Sequence, residues 1–339
     1  MALTNKQHEE MRAELKSSFR PLFFFDDDAD GLAAFLLFYR FCGEGKGVIV
    51  KTTPNITETF LRKVEEYQPD KIFILDIASV EQGFIDKAKT PIVWVDHHEP
   101  VKRSSVKYFN PKESNEKDNT PTSVICYEAV RQDLWIAAVG AIGDWFIPGF
   151  LDEAAKKYPD LIRKSNYAGE LLHETKIGML ARVFSFIMKG QSDTVKKCLN
   201  VITKIESPYE ILNQETPKGK FIHKRFSFIN KKYEALLEQA KKSAKSDFLV
   251  FIYEDQISFT GDLSNELLYL FPEKHIVVGR VRSGFLKLSL RSNKNMLSAV
   301  NRALNGVNGF GGGHKNACGA VIKEEHFGKF IDSLKKYLG

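Results

Sequence analysis

Apolar runs that end in acidic residues recur along the first half of the chain. Residues 22–25 are apolar, Asp26-Asp27-Asp28-Ala29-Asp30-Gly31 follows, and a second apolar stretch occupies 32–38. This order is typical of a strand, an acidic loop and a helix. Because Asp26, Asp28 and Asp30 alternate with other residues, an extended segment would turn their carboxylates to one side at the end of the strand.

Two further strand-like runs end in the same way. Residues 71–75 end at Asp76, and residues 91–95 end at Asp96-His97-His98. A fourth segment, 135–143, ends at Asp144. Its glycines and alanines prevent assignment as strand or helix, but such small residues would let a backbone pass close to a metal centre. Open α/β sheets hold ligands at the carboxyl ends of their strands, so the pattern predicts that these side chains meet at one edge.

The types of side chain narrow the choice of metal. Hard carboxylates with an occasional imidazole favour Mn²⁺ or Mg²⁺, whereas structural zinc usually recruits thiolates. A thiolate zinc site is not expected, because the four cysteines form no close pairs (Cys42, Cys126, Cys198 and Cys318). One carboxylate can bridge two cations about 3.5–4 Å apart. Asp76, alone at its strand end, is the natural bridge, and we expect two divalent cations, Mn²⁺ first and Mg²⁺ as the alternative.

A glycine cluster, Gly311-Gly312-Gly313-His314, lies far downstream. It can be a flexible turn between a helix at 296–305 and a strand near 317–322. It can also be a cradle of backbone amides around an anion, because glycine lets the main chain approach closely. Just upstream, leucines alternate with Lys287, Ser289 and Arg291, which predicts a strand with one buried face.

Net charge favours a polyanionic partner. The chain has 49 Lys and Arg against 43 Asp and Glu, a formal charge of +6. The segment 273–302 contains a single acid, Glu273, and seven basic residues, Lys274, Arg280, Arg282, Lys287, Arg291, Lys294 and Arg302. Such a surface would attract nucleic acid in a salt-dependent way.

In this order, the motifs resemble those of the DHH phosphoesterase superfamily. The segment 309–320 is similar to the signature of its DHH-associated C-terminal domain. The resemblance implies one metal bound by Asp26, Asp28 and Asp76, and a second bound by Asp30, Asp76, His97 and Asp144. It also implies catalytic roles for Asp76, His97 and His98, with His98 directed at the phosphate. Substrate would be held by Arg291, Ser292, Gly311, Gly312, Gly313 and His314.

The first motif separates branches of the superfamily. Nanornase-like and pyrophosphatase-like members carry a histidine where this chain has Phe24. Asp26, two residues before Asp28, instead matches the RecJ-like exonucleases and their archaeal relatives. Asp27 departs from that branch, in which an aromatic residue is common.

Length and composition predict two α/β domains. The resemblance implies that the active site lies in the cleft between them. We expect a parallel sheet flanked by helices over residues 1–185, a helical linker over 186–245, and a smaller α/β domain over 246–339. Pro217-Lys218-Gly219 is predicted as a turn. The charged N-terminus, the lack of an apolar run long enough for a membrane span, and the dispersed cysteines favour a cytoplasmic protein.

These features predict a manganese-dependent exonuclease that removes nucleoside monophosphates from an end of single-stranded RNA or DNA. One alternative is a nanornase-like hydrolase of short oligonucleotides or cyclic dinucleotides. Another, of a different class, is a non-catalytic replication or repair scaffold. Polarity of digestion, preference for RNA or DNA, oligomeric state and protein partners are not specified by the sequence.

Overall fold

Two units make up the molecule, residues 1–226 and residues 227–339. The computed structural model describes residues 3–51 and 55–339. The first expected domain, 1–185, therefore includes five positions that lie outside the described residues: 1, 2 and 52–54. The expected linker, 186–245, contains the end of one helix and three further helices, of which the last crosses from the first unit into the second.

In the first unit, seven strands are described: β1 (Pro21–Asp26), β2 (Lys46–Val50), β3 (Asn55–Ile56), β4 (Lys71–Leu75), β5 (Ser79–Val80), β6 (Ile92–Val95) and β7 (Lys107–Phe109). The described α-helices are α1 (Asn5–Lys16), α2 (Ala29–Cys42), α3 (Leu61–Tyr67), α4 (Gln82–Ala88), α5 (Thr122–Val130), α6 (Leu134–Gly143), α7 (Leu151–Lys157), α8 (Ala168–Glu174), α9 (Lys176–Ile187), α10 (Ser192–Ile202), α11 (Pro208–Leu212) and α12 (Pro217–Lys241). The predicted turn at 217–219 is wrong, because these residues open α12; proline is well tolerated in the first turn of a helix.

The main sheet of this unit has the order β2-β1-β4-β6-β7, and every neighbouring pair is parallel. Both faces are covered. On one face, Phe24 and Trp94 belong to a core that includes Phe84 of α4. On the other, the ring of Phe25 stacks on Phe35 of α2, with centroids 4.5 Å apart. Covering on both faces explains why the strands are almost wholly apolar until their ends, and the predicted parallel sheet flanked by helices is confirmed.

The acidic loop after β1 is shorter than expected. The Asp28 side chain accepts a hydrogen bond from the Gly31 amide at 2.9 Å and so forms the N-cap of α2. Asp30 therefore lies in the first turn of that helix. The expectation of one extended segment with three aligned carboxylates is wrong, because the cap starts the helix before the third acid.

The segment before Asp144, which the sequence left unassigned, is helix α6. Its glycines serve helix packing. A Cβ atom on Gly143 would lie 2.6 Å from the Cβ of Ala29 in α2, and one on Gly140 would lie 2.6 Å from the Cβ of Ala33. Their absent side chains let α6 lie against α2. The expectation that small residues also let the backbone pass close to a metal stays a prediction.

In the second unit, the strands are β8 (Phe248–Glu254), β9 (His275–Arg282), β10 (Phe285–Arg291), β11 (Gly309–Gly313) and β12 (Ala317–Lys323), and the helices that follow α12 are α13 (Thr260–Leu270), α14 (Met296–Ala303) and α15 (Phe327–Leu338). The sheet has the order β11-β12-β10-β9-β8. Strand β8 is parallel to β9, and the other pairs are antiparallel.

The alternation predicted in β10 is confirmed. Leu286, Leu288 and Leu290 are buried in a core with residues of α14 and α15, while Lys287, Ser289 and Arg291 lie on the other face. The predicted helix and strand near 296–305 and 317–322 are α14 and β12. The glycine cluster, expected as a loop, is instead the edge strand β11, and only 314–316 turn the chain into β12. No helix in the described part of the chain is long and apolar enough to cross a membrane.

Candidate metal centre

Three neighbouring strands deliver acids and imidazoles to one edge of the sheet in the first unit. Asp26 ends β1, Asp76 follows β4, and Asp96-His97-His98 follows β6. Asp144 joins them from the end of α6. The structure therefore brings together, within one unit, all six residues predicted as metal ligands, in the three groups described next.

Each group contains three side chains whose potential ligand atoms lie within 4.8 Å of one another. The groups are Asp26 with Asp28 and Asp76; Asp30 with His97 and Asp144; and Asp76 with His97 and His98. The His97 ring links them, because its Nε2 lies 3.3 Å from Asp76 Oδ1 and its Nδ1 lies 3.8 Å from Asp144 Oδ2. Asp76 and His97 each belong to two groups.

The backbone of Asp76 is in the left-handed region, with φ at 59°. An aspartate there is uncommon, and such conformations persist only where the surroundings hold them. Its amide donates to the Val95 carbonyl at 3.0 Å, and the Thr122 hydroxyl donates to its Oδ1 at 3.2 Å. The carboxylate is therefore fixed at the strand end.

Asp30 is held by the first turn of α5. Its two oxygens accept from the amides of Thr122, at 2.8 Å, and Ser123, at 3.0 Å, and the Ser123 hydroxyl donates to it as well. Unpaired amides at a helix N-terminus favour a carboxylate. Nothing in the sequence around Thr122 indicates that this helix start holds Asp30, 92 residues earlier.

His98 is oriented by a network that the sequence did not reveal. Its Nδ1 lies 2.8 Å from Oδ1 of the fully buried Asp96, and its amide donates to Asp96 Oδ2 at 3.1 Å. The Asn110 side-chain amide donates to the His98 carbonyl at 2.9 Å and to the Tyr108 hydroxyl at 2.8 Å. The Tyr108 hydroxyl in turn donates to Asp96 Oδ2 at 3.4 Å. Tyr108 and Asn110 lie at the end of β7, and no local motif in the sequence marks them.

Crowded acids shift the titration of the whole cluster. Burial, followed by the charge of Asp76, raises the pKa of both Asp26 and Asp30 to about 8. Burial raises the pKa of Asp144 to about 6. Burial would also raise the pKa of Asp76, but the hydrogen bond and charge of His97 outweigh it and lower that pKa.

Burial acts on the pKa values of the imidazoles in the opposite sense, but neighbouring carboxylates outweigh it. Burial lowers the pKa of His97, but its contact with Asp76 outweighs this and raises the pKa well above the ordinary value. For His98, burial likewise opposes protonation, and the hydrogen bond to Asp96 raises the pKa. Without a metal, protons and imidazolium charge thus balance part of the acidic cluster.

These residues fit divalent cations. No lysine or arginine in the described ranges forms an ion pair with Asp26, Asp28, Asp30, Asp76 or Asp144. Converging carboxylates without a lysine or arginine partner, together with an imidazole that loses its proton when a metal binds, are the donor set of Mn²⁺ and Mg²⁺. Opposite ligands of a Mg²⁺ ion lie about 4 Å apart, so each group is close to the size that one cation needs.

In the second unit, the predicted substrate residues lie around the end of β10. Arg291 Nε donates to Asn265 Oδ1 at 2.6 Å, and its Nη1 donates to the carbonyls of Leu290 and Cys318 at 3.0 and 3.4 Å. Burial lowers the pKa of Arg291 to about 10, and the group remains cationic at neutral pH. No carboxylate pairs with it among the described residues. The guanidinium is held by neutral acceptors, and the charge of Asp262 acts on it without an ion pair.

Ser292 is fully buried, and its hydroxyl is used inside the protein. It is hydrogen-bonded to His275 Nδ1 at 2.7 Å and accepts from the Lys294 amide at 2.9 Å. The Ser292 amide donates to the Asn316 carbonyl at 3.0 Å, and its carbonyl accepts from the Asn316 side-chain amide at 2.8 Å. The structure therefore places Ser292 as a support for the turn that carries His314.

Strand β11 presents backbone amides at the edge of the sheet. The Lys323 amide donates to the Asn308 carbonyl, and His314 and Ala317 exchange backbone hydrogen bonds. Because such pairs alternate along an antiparallel ladder, the amides of Gly311 and Gly313 point away from β12, while Gly312 faces its partner. The amide cradle expected from the sequence takes the form of an open strand edge, with His314 exposed at its end.

Comparison with known protein families identifies two domains in this chain. Residues 22–143 match the model of the DHH family, N-terminal domain, and residues 220–339 match the DHHA1 domain. No curated protein matches the chain by sequence.

Solved structures share the fold. RecJ from Thermus thermophilus in complex with Mn²⁺ has a TM-score of 0.68 at 16% identity, covering 99% of this chain and 55% of that one. This chain thus spans about half the length of that RecJ. Exonuclease RecJ bound to manganese has a TM-score of 0.61 at 17% identity, covering 99% and 95%.

The DHH domain of a member of the s1p family of ribosomal proteins is also similar. Its TM-score is 0.69 at 14% identity, covering 98% of this chain and 89% of that one. These identities show a shared fold, and the two domain matches show the family. With a DHH domain followed by a DHHA1 domain, the chain belongs to the DHH superfamily of phosphoesterases.

Proposed function

We propose that this protein is a metal-dependent phosphodiesterase that removes nucleotides from an end of single-stranded RNA or DNA. The observation that carries the proposal is the set of overlapping ligand groups joined through Asp76 and His97. A shared carboxylate beside two further ligand sets is the arrangement of a paired cation site in phosphodiester cleavage. Membership of the DHH superfamily favours the same chemistry.

Asp26, Asp28 and Asp76 would hold one divalent cation, and Asp30, His97 and Asp144, with Asp76, would hold the other. Bound divalent cations supply Lewis acidity toward phosphate oxygens and lower the pKa of water. The protein fixes these ligands in advance through α5 and the strained backbone of Asp76. RecJ structures of the same fold were solved with Mn²⁺ and with Mg²⁺, which supports Mn²⁺ as the first ion to test here.

His98 would act on the phosphate. Its Nδ1 is engaged by Asp96, so its Nε2 is the ring atom left to donate to a phosphate oxygen. The raised pKa of His98 favours the protonated ring, in which Nε2 carries a hydrogen. A fixed cationic donor stabilises charge that develops on the transferred phosphate without reorganising during the reaction.

The second unit would grip phosphates of the same strand. The Arg291 guanidinium, the outward amides of Gly311 and Gly313, and the exposed His314 are donors suited to phosphate. Gly312 would keep this strand edge free of side chains, and Ser292 would position the turn. The partner implied is single-stranded nucleic acid.

Hydrolysis assays test the proposal. Single strands of RNA and DNA, labelled at either end and ranging from dinucleotides to several tens of nucleotides, would be incubated with Mn²⁺ or Mg²⁺. Asp76→Asn should abolish cleavage, because it removes the carboxylate shared by two ligand groups. Asp27→Asn is the matched control, since Asp27 is the neighbouring acid outside all three groups.

Each outcome has a distinct meaning. Stepwise shortening of long strands that depends on Asp76 supports the exonuclease and reveals its polarity. Activity confined to the shortest substrates favours the nanornase-like alternative. Binding of nucleic acid with no cleavage under either metal would overturn the enzyme and favour a scaffold.

A further inference from the structure

One face of the sheet in the second unit is open at β11 and β12. The same face is covered at β9, where Val278 is fully buried, and Arg291 is bonded there to Asn265 of α13. Side chains of residues paired across antiparallel strands point to the same face. Phe310 of β11 pairs with Val321, which pairs with Lys287. In the next row of the same face, Gly312 pairs with Gly319, which pairs with Ser289. We call this surface, formed by Phe310, Val321, Lys287, Gly312, Gly319 and Ser289, the open face.

The opposite face of these strands is covered. Leu286, Leu288, Cys318, Ala320 and Ile322 are buried there against α14 and α15. The open face therefore owes its composition to something other than the core. Its alternate positions on β10, β11 and β12 are glycine, aromatic, basic or small residues.

Phe310 stands out on this face because 71% of its surface is exposed. It has no ring contact with another aromatic side chain in the described part of the chain, and it is absent from the core of its unit. Exposing a large aromatic ring gives the folded protein no stabilisation from burial. A role in packing does not explain a phenylalanine placed between Gly309 and Gly311.

The neighbouring glycines leave a flat floor beside this ring. A Cβ atom on Gly312 would meet nothing within 4 Å, and one on Gly319 would meet only the Leu288 carbonyl, at 3.7 Å. Gly312 is two residues from Phe310 on the same face, about 7 Å along the strand. No side chain therefore lies within 4 Å of a Cβ position at Gly312 or Gly319.

The charge around the floor is positive. Lys287 lies in the Phe310 row, and Arg291 lies one row beyond Ser289 on the other side. Lys323 and Arg282 share the row on the far side of Phe310, across Phe285. None of the positions on this face of β9, β10, β11 and β12 is an aspartate or glutamate. An acid does lie at the margin, because Glu325 Oε1 is 3.6 Å from Lys323 Nζ.

We propose that the open face is a base-stacking subsite for single-stranded nucleic acid, with Phe310 stacking on a nucleobase and the Gly312–Gly319 floor accommodating its sugar or a neighbouring base. Lys287 and Arg291 would flank the backbone phosphates. Exposed aromatic rings on an open sheet, interleaved with basic residues, are the means by which proteins hold unpaired bases. The subsite rests on the proposed function for its substrate class but adds recognition of the base to that of the phosphate.

The test compares strands with and without bases. Affinities of the whole chain for an oligonucleotide and for an abasic strand of equal length and charge would be measured at fixed salt, without divalent cations. Phe310→Ala should weaken binding of the oligonucleotide by about tenfold, since stacking contributes about 1–3 kcal/mol per base. Affinity for the abasic strand should not change, because phosphate contacts remain. Phe310→Trp should keep the preference for bases and show quenching of its fluorescence on binding.

Two further variants test whether the effect of Phe310→Ala is specific to the proposed stacking subsite. Phe19→Ala removes a ring of similar exposure, 76%, from the first unit and should leave both affinities unchanged. Gly312→Leu places a side chain on the floor and should weaken binding of the oligonucleotide without removing Phe310. Circular dichroism and thermal unfolding would show that each variant keeps the fold.

The result that overturns the subsite is an equal loss of affinity for both strands, or no loss, in Phe310→Ala. This failure is distinct from failure of the proposed function. Hydrolysis of oligonucleotides with no effect of Phe310 would remove the subsite and keep the enzyme. Binding that depends on both Phe310 and the bases, without hydrolysis, would keep the subsite and remove the enzyme. Failure to bind any oligonucleotide would overturn both.

Discussion

Individual residues in the candidate metal centre are held by neutral donors more than by opposite charges. Asp30 is held by two backbone amides and a hydroxyl, and Asp76 by a hydroxyl and by the fixed backbone at its strand end. Neutral donors orient a carboxylate without neutralising it. The repulsion among the acids therefore remains available to attract a cation.

Asp96 differs from the candidate ligands, because its side chain orients His98. It is fully buried and contacts His98, but it belongs to none of the ligand groups. We predict that Asp96→Asn lowers kcat by about 10–100-fold, as expected when the partner that orients a site residue is changed. The affinity for Mn²⁺, measured by calorimetry, should stay nearly constant, because no ligand is lost.

Tyr108→Phe is the matched comparison for that prediction. It removes the longer contact to Asp96, at 3.4 Å, and the acceptor of the Asn110 side-chain amide, at 2.8 Å. Because the direct contacts between Asp96 and His98 remain, it should change kcat little. A large loss of Mn²⁺ affinity in Asp96→Asn would mean that Asp96 supports the metal rather than His98. An unchanged kcat would show that the network has no catalytic role.

At the scale of elements, the position of the site depends on how closely α6 approaches α2. The two helices carry Asp144 and Asp30, which belong to the same ligand group. Glycine at the contact lets the helix backbones come near each other. The close approach of α6 to α2 and α5 thus helps to set the geometry of the ligands.

We predict that Gly140→Ala destabilises the protein by about 1–3 kcal/mol through overpacking. In an unconstrained helix the same change would stabilise by about 0.5–1 kcal/mol. The added Cβ would lie 2.4 Å from Ser123 Oγ and 2.6 Å from the Cβ of Ala33, so a neighbour must move. Urea unfolding measures the effect.

Gly328→Ala in α15 supplies the control, because a Cβ there meets nothing within 4 Å. It should leave stability unchanged or raise it slightly. If both variants behave alike, helix propensity rather than packing decides the outcome, and the role given to Gly140 is wrong.

The sequence predicted secondary structure best where the pattern of apolar and polar residues was regular. Alternation in β10 and the apolar runs ending at Asp26, Asp76 and Asp96 predicted strands correctly, because burial fixes the pattern of side chains. It was least informative where distant elements meet. Nothing local to Asn110 or Ser123 indicates that they orient His98 and Asp30, since those contacts exist only after the chain has folded.

The glycine cluster was expected as a loop, and the segment that forms α6 was left unassigned, for a related reason. Glycine permits both turns and close contacts, and the sequence does not say which one is used. In β11 the glycines run beside β12, where a Cβ on Gly311 would lie 2.6 Å from the Gly319 carbonyl. In α6 the glycines contact another helix, and composition alone does not reveal either contact.

At the scale of the whole molecule, metal binding, protonation and stability are linked. The pKa values of Asp26 and Asp30, about 8, exceed the ordinary value, so the folded protein binds more protons than the unfolded chain between about pH 4 and 8. Stability of the metal-free protein must therefore fall as pH rises through this range. His97 adds to this fall above its ordinary pKa, because its raised pKa means that the folded protein keeps a proton that the unfolded chain has lost.

We predict that Mn²⁺ raises the unfolding temperature more at pH 8 than at pH 6, at equal free metal concentration. Binding requires ionised carboxylates and a neutral His97, so protons must leave as the metal enters. Calorimetry at pH 7 in buffers of different ionisation enthalpy should show proton release. Asp30→Asn should release fewer protons than the native protein, because it removes one group that is protonated at pH 7. Equal thermal shifts at the two pH values, with no proton release, would show that the cluster is already ionised before the metal binds and would contradict the raised pKa values on which the prediction depends.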